Sequence, residues 1–401
     1  MTNHEAEDTQ LGQSHDRRFV RKRMDMLRLL HLAHRHASVE RLRQQLKSRL
    51  GEQHTWVFVG RSEEDDEGVW SVDAAESLPT HILQGEWDAI VVHRMRFPTP
   101  KWLLSMPDGP FLVWASWGDD YFRVFPALSR GIHLPKSRML LGALGKFSVT
   151  ILALIQSVRW ALFPRGWLVT PRDWELHAMA KVDAIVNLFG RDFIAKPYLP
   201  QVPDHLYSSW YNAVPSILPE VEASKDEAGP ILLGSSASTT GNHLDFIWDH
   251  QDELRASGRT LRMVLAYGSG RYAWALRKLA DWRLEGQVEC LDGRLPLEEY
   301  YRYLAQCPVV VHHQIRNQNT GNAVLSFLMG QRVLMRPDSL VHAYFENLGF
   351  IIGDATAVPL DLTPLDDASR QYNRELALKC FGDTAVMERY GRFIEDLKRV
   401  A

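Results

Sequence analysis

Pro308-Val309-Val310-Val311-His312-His313-Gln314-Ile315-Arg316-Asn317-Gln318-Asn319-Thr320-Gly321-Asn322 decides the fold, together with the apolar runs 323–329 and 332–335 that follow it. A short β-branched run, a polar turn, a helical apolar run ending before Gly330 and a second short apolar run make one β-α-β unit. The same order repeats on either side. Strands are expected at 230–234, 261–267, 287–291, 308–312 and 332–335, and helices at 244–256, 273–284, 297–307, 322–329 and 340–348. Strands alternating with helices predict a parallel, doubly wound sheet, whose ligands lie beyond the carboxyl ends of the strands.

The first half reads the same way, less cleanly. Apolar runs at 27–32, 55–60, 88–93, 111–116, 167–170 and 183–188 alternate with helical stretches at 38–50 and 172–180. Pro197, Pro200, Pro203, Pro215 and Pro219, then the polar stretch 220–229, mark a connection between domains. Helical stretches at 368–379 and 384–400 close the chain. The expected organisation is a flexible extension at 1–24, an N-terminal α/β domain at 25–205 and a linker at 206–229. A C-terminal α/β domain follows at 230–375. A closing helix at 376–401 is expected to pack back toward the N-terminal domain, with the two sheets facing across a cleft.

Composition excludes several classes. The 401 residues are 45% hydrophobic and 24% charged, which rules out disordered and disulfide-scaffold chains. A net charge of −3 argues against a nucleic-acid partner for the whole chain. Cys290, Cys307 and Cys380 have no metal-pair spacing and fit a reducing compartment. The first 15 residues are polar and show no secretory signal. Charge is uneven: residues 16–50 hold eleven Lys or Arg against three acids, and 61–76 hold seven acids against Arg61. The basic run is exposed helix and tail, or a surface drawn to anionic lipid. The acidic run reads as a solvated loop.

The thirteen tryptophans stand out. Trp102, Trp114, Trp117, Trp160, Trp167 and Trp174 cluster around the apolar segment 139–163, which has one charge, Lys146, before Arg159. That segment reads as a buried helix pair, a membrane-dipping helix or a marginal span. The Trp cluster points to the acceptor and membrane side of the molecule.

The strand ends carry the chemistry. Gly234-Ser235-Ser236-Ala237-Ser238-Thr239-Thr240-Gly241-Asn242 offers amides and hydroxyls to an anion ahead of a helix N-terminus. Tyr267, beside Gly268, is placed to stack on a base or sugar. After the fourth strand, Gln314, Arg316, Gln318, Asn319, Gly321 and Asn322 stand in a donor-rich turn, where Arg316 can grip a pyrophosphate through two nitrogens. In the first half, Trp117-Gly118-Asp119-Asp120 follows a strand and His93 ends another, so Asp120, Asp119 and His93 are the candidate bases. His31-x-x-His34-x-His36 lacks a further ligand for a metal. HExxH, CxxC and nucleophile-elbow patterns do not occur.

These strand ends resemble the bacterial TDP-N-acetylfucosamine:lipid II N-acetylfucosaminyltransferases, the 4-α-L-fucosyltransferases of glycosyltransferase family 56. The matching residues are Leu233-Gly234-x-Ser236 with His243, Tyr267, Leu295 with Tyr300, Leu304, Gln306 and Cys307, and Arg316-x-Gln318-x-x-Gly321. Gly330, Val333-Leu334-x-Arg336 and Trp117-Gly118-x-Asp120 complete the match. The resemblance implies two Rossmann-like domains of the GT-B type. It implies inverting, metal-independent transfer of a deoxyamino hexose from a TDP-type nucleotide sugar to a polyprenyl-pyrophosphate-linked saccharide. It also implies peripheral attachment to the cytoplasmic face of the bacterial inner membrane, in enterobacterial common antigen assembly. The second domain is then expected to hold the nucleotide, with Asp120 deprotonating the acceptor hydroxyl and Asp119 or His93 as runners-up. A nucleotide-sugar 2-epimerase or a non-catalytic sugar-nucleotide-binding membrane scaffold are the alternatives on this scaffold.

Overall fold

The computed structural model describes residues 26–47, 52–60, 67–124, 131–143, 171–188, 203, 205–211 and 221–400. Two all-parallel sheets organise them. The first comprises β1 (Leu27–His34), β2 (Glu52–Val59), β3 (Val69–Val72), β4 (Ala89–His93), β5 (Phe111–Ala115), β6 (Ala184–Asn187) and β7 (His205–Ser208), in the order β3-β2-β1-β4-β5-β6-β7. The second comprises β8 (Ile231–Leu233), β9 (Leu261–Val264), β10 (Val288–Leu291), β11 (Val309–His312), β12 (Arg332–Met335) and β13 (Gly353–Asp354), in the order β10-β9-β8-β11-β12-β13. Each sheet winds outward from a central pair in both directions. The order reverses between β1 and β4 and between β8 and β11, so those ends open the crevices where ligands bind in such sheets.

The central strands read as unbroken apolar runs because helices cover both faces. All residues of β4, β8 and β11 are buried. One face of the first sheet packs Leu29, Trp56, Phe58 and Val91 against Val39, Leu42 and Leu46 of the helix Ala37–Leu46. The same face takes Val386, Tyr390, Phe393, Ile394 and Leu397 from the last helix, Asp383–Val400. The helix before it, Asp367–Phe381, packs Ala377 and Phe381 on the second sheet's side, and the chain turns at Gly382. The crossing point therefore lies beyond 376.

Three short strands escape the sequence pattern. β3 lies inside the acidic run, β7 runs into the stretch read as linker, and β13 is two residues long. The expected helix at 244–256 is two helices, His243–Asp249 and Gln251–Ser257, broken at His250. The extension 1–24 lies outside the described residues, as does most of the apolar segment. The segment's first residues belong to the helix Pro135–Ala143, where Leu140 joins the second domain's core and Met139 is exposed. Trp102 and Trp114, expected on the acceptor and membrane side, are core residues of the first domain at 1% and 0% exposure. Among the described residues no helix is long and apolar enough to cross a membrane.

Candidate active site

The carboxyl ends of β8, β9 and β11 form the second domain's wall of the cleft. Gly234 leaves β8 with φ +67, and a Cβ there would stand 2.4 Å from His243 Nε2, so only glycine fits the turn. Ser236, Thr239, Tyr267, Arg316, Gln318 and Asn319 line an open cavity of about 420 Å³. Tyr267 is half exposed at its rim. Arg316 Nε donates to Thr240 Oγ1 and to Gln318 Oε1, both at 2.9 Å. These neutral partners hold the guanidinium in place without neutralising it. Its two terminal nitrogens take no partner among the described residues. Burial pulls the Arg316 pKa down, Asp119 pulls it back up and Arg94 lowers it again, yet a guanidinium remains charged at neutral pH.

Six of the expected nucleotide-binding residues do not line this cavity. Gly234 lies beneath the turn. Ser235 is buried and donates to Asn319 Oδ1. Gln314 is buried and donates to the Gln318 carbonyl at 3.1 Å. Asn242 is wholly buried; its side chain accepts from Leu134 N and donates to the Ile132 carbonyl, both at 2.9 Å. Gly321 is exposed on the first turn of the helix Thr320–Met329, with no atom within 4 Å of a Cβ position, and Asn322 follows it half-buried. They build or flank the wall instead of presenting groups to the cavity.

A strap from the first half completes this wall. Asp245 accepts from the backbone amides of Lys136 and Ser137 at 2.7 and 2.8 Å, capping the helix Pro135–Ala143 against the helix His243–Asp249. His133 Nε2 pairs with Thr239 Oγ1 at 3.2 Å. Burial and the nearby Arg316 and Arg138 charges push His133 down to about 4, so it stays neutral beside the cavity.

The opposite wall comes from the ends of β4 and β5. Arg94 adopts a left-handed φ of 73°, an uncommon conformation for a bulky residue, and its side chain reaches the turn after β5. It ion-pairs with Asp119 and sits over the Trp117 ring at 5.8 Å. His36, at the start of the first helix, meets Trp117 edge-on at 4.6 Å. At Gly118 a Cβ would overlap the Asn317 carbonyl at 2.1 Å, so the two walls touch there and only glycine permits it.

Two of the three candidate bases do not face the cleft. Asp120 is fully buried, and its Oδ2 accepts from Met95 N at 3.1 Å, Trp114 Nε1 at 3.1 Å and Trp117 N at 2.9 Å. Burial and the Asp119 charge push its pKa up to about 7 against those three donors. Its place is that of a clasp joining the β4 and β5 turns. His93 is 1% exposed and points into the domain. Asp119 alone reaches the cleft surface, with its carboxylate taken by Arg94. His31, His34 and His36 also diverge: His31 points inward, His34 pairs with the Arg96 carbonyl and His36 accepts from Ser38 N. Among the described residues no three His, Cys, Asp or Glu side chains are placed to hold a metal ion.

Arg94, His133, Tyr211 and His54 carried no local sequence signal, and His31 stood out only within the His31-x-x-His34-x-His36 pattern. They reach the site through an uncommon φ, a strap between domains and the register of neighbouring strands.

The fold has known counterparts. The fold is that of the GT-B glycosyltransferases. Sucrose-phosphate synthase from Thermosynechococcus elongatus matches 94% of this chain and all of its own at a TM-score of 0.59, with 9% identity. A glycosyltransferase from Rickettsia africae matches 93% of this chain and 99% of its own at 0.55, with 13% identity. A UDP-forming α,α-trehalose-phosphate synthase from Burkholderia vietnamiensis matches 94% and 98% at 0.54, with 10% identity. At these identities the likeness is one of fold. Neither a protein-family model nor a curated protein sequence matches the chain.

Proposed function

We propose that this protein is a glycosyltransferase whose second domain holds a nucleotide sugar and whose first domain receives the acceptor. One observation carries the reading: Arg316 stands at the switch point of the second sheet, with only neutral partners on Nε, and lines the cavity. A leaving pyrophosphate gains negative charge in the transition state, and a fixed guanidinium with the amides of the turn at Ser236–Thr239 meets it. That positive field takes the place of a metal in this reading. Tyr267, at the rim, is suited to stack on the base. The sucrose-phosphate and trehalose-phosphate synthases of the same fold support a nucleotide-sugar donor.

The finer reading rests on the residues that resemble family 56. The donor is a TDP-linked deoxyamino hexose such as N-acetylfucosamine, transferred with inversion to a polyprenyl-pyrophosphate-linked saccharide. The test of the nucleotide site is calorimetric titration with TDP and UDP. Arg316→Ala is expected to weaken binding about 100-fold, near 3 kcal/mol, as befits a lost charge-assisted pair. Unchanged affinity would remove Arg316 from the site and the reading with it.

Peripheral binding at the cytoplasmic face of the inner membrane follows from the lipid-linked acceptor. The basic run 16–50 and the apolar segment 139–163 support it. So do Trp274 and Trp282, 61% and 65% exposed on the helix Gly270–Arg283, with Lys278 between them on one face and Arg271 a turn earlier. Flotation with phosphatidylglycerol vesicles should carry the full chain upward, and Trp274→Ser/Trp282→Ser should reduce the floating fraction. A chain that stays at the bottom of the gradient contradicts membrane attachment.

A further inference from the structure

Five side chains on one face of the first sheet form an unbroken hydrogen-bonded line. Tyr211 Oη meets His93 Nδ1 at 2.5 Å, and His93 Nε2 meets His31 Nδ1 at 2.8 Å. His31 Nε2 meets His54 Nδ1 at 3.0 Å, and His54 Nε2 meets Glu52 Oε2 at 3.2 Å. Parallel register places Glu52 at the amino end of β2, beside Leu27, and His93 at the carboxyl end of β4, beside Ala33. The line therefore runs from one end of the sheet to the cleft end. Trp56 stacks on His31 at 3.9 Å and 9°, fixing that ring in its plane.

With Glu52 ionised and His54 neutral, the donors admit one ordering. A neutral imidazole has one N–H and one acceptor nitrogen. Glu52, ionised, can only accept, so His54 carries its proton on Nε2. His54 Nδ1 then accepts from His31 Nε2–H, and His31 Nδ1 accepts from His93 Nε2–H. His93 Nδ1 is left to accept from the Tyr211 hydroxyl. Burial holds the pKa values of His31 and His93 far down, so both rings stay neutral. This is the logic of a nucleophile–base–orienter triad, lengthened by two imidazoles.

We propose that Tyr211 is the catalytic base of the transferase reaction, with His93, His31, His54 and Glu52 as the relay that removes its proton. The inference rests on the transferase reading above. Tyr211 lies half-buried after β7, edge-on to Trp117 at 5.5 Å, and Trp117 precedes the glycine that touches the second domain. Its proton goes to His93, which leaves an oxygen lone pair for an incoming hydroxyl. The acceptor O–H bond breaks onto Tyr211 Oη as the Tyr211 proton passes to His93 Nδ1. One proton then moves from His93 to His31, one from His31 to His54 and one from His54 to the Glu52 carboxylate. The acceptor oxygen's electron pair forms the new bond to the anomeric carbon, and the broken C–O bond leaves its pair on the nucleotide's pyrophosphate. A free tyrosinate never has to accumulate, which matters because burial opposes one; a Trp117 hydrogen bond favours it, and Asp120 opposes it again. Asp119 is the weaker base because Arg94 holds its carboxylate.

Nitrogen-15 NMR of the full chain labelled at histidine reads the ordering directly. Nε2–H tautomers are expected at His93, His31 and His54. An Nδ1–H tautomer at His93 or His31 overturns the relay, whatever the donor is. Release of nucleoside diphosphate tests the chemistry. Tyr211→Phe should slow turnover by about 100-fold or more, and Glu52→Gln by about 10-fold, with TDP affinity within about twofold of wild type. Rates in mixed light and heavy water should show several protons in flight for wild type and fewer for Glu52→Gln. A Tyr211→Phe enzyme of unchanged rate overturns the base assignment. So does a loss of rate matched by an equal loss of TDP affinity, which would give the line a purely structural role. Failure of the wild type to bind TDP or UDP would instead defeat the transferase reading, and the tautomers would still decide the relay.

Discussion

Acidification from pH 7 to pH 5 is expected to lower the protein's stability by about 6 kcal/mol. Burial pushes His93 and His313 down to about 3, and His243 and His312 down to about 4. In the unfolded chain these rings titrate near 6.5. Below that pH the unfolded state binds protons that the folded state refuses, so stability falls as pH drops from about 6.5 toward 4 and then 3. At pH 5 each ring costs about 2 kcal/mol, or about 8 kcal/mol for the four. Asp120 works in the opposite direction. With its folded pKa raised to about 7, it favours the folded state increasingly as pH falls from 7 toward 4, by about 2 kcal/mol at pH 5. The net loss of about 6 kcal/mol is comparable to the whole stability of an ordinary domain, about 5–15 kcal/mol. Thermal unfolding followed between pH 7.5 and 5 checks this, and a flat profile contradicts it. His312 is the sharpest probe, since both its ring nitrogens are buried without partners among the described residues. His312→Leu should flatten the acid limb by about 2 kcal/mol at pH 5.

Asp120→Ala is expected to cost about 4 kcal/mol of stability. The substitution leaves three buried donors, Met95 N, Trp114 Nε1 and Trp117 N, without their acceptor. Each orphaned donor costs about 1–3 kcal/mol, partly offset here because a buried carboxylate with an unpartnered Oδ1 also disappears. Asp120→Asn keeps an acceptor oxygen in place and should lose no more than about half as much. Urea unfolding at pH 7.5 measures both. Turnover separates the clasp from a catalytic base: Asp120→Asn should stay within about tenfold of wild type, where a lost general base costs about 100-fold or more. A folded Asp120→Asn protein with a 100-fold rate loss would restore Asp120 to the chemistry.

Much of the architecture was legible because buried parallel strands must be apolar along their whole length. Val309-Val310-Val311 and Ala89-Ile90-Val91-Val92 announce themselves in any context. Edge strands are half-solvated and short, so β3 among acids and β7 after prolines gave no such signal. The polar strand ends were legible for the converse reason. A run such as Gln314–Asn322 cannot be core, and topology puts it at the mouth of the crevice. Which of its members face the cavity was not legible. Gln314 and Arg316 look equally polar, yet Gln314 is spent on the Gln318 carbonyl while Arg316 faces outward.

By itself the sequence determined two wound sheets, their crevice and the donor-rich turn around Arg316, because burial and turn chemistry act within a few residues of chain. Only the tertiary structure decided that Asp120 is a clasp, that Trp102 and Trp114 are core, and that Tyr211, His93, His31, His54 and Glu52 form one line. Those outcomes depend on strand register and on which face a side chain takes. A strand shifted by one residue would send His54 to the opposite face and break the line while leaving the composition unchanged.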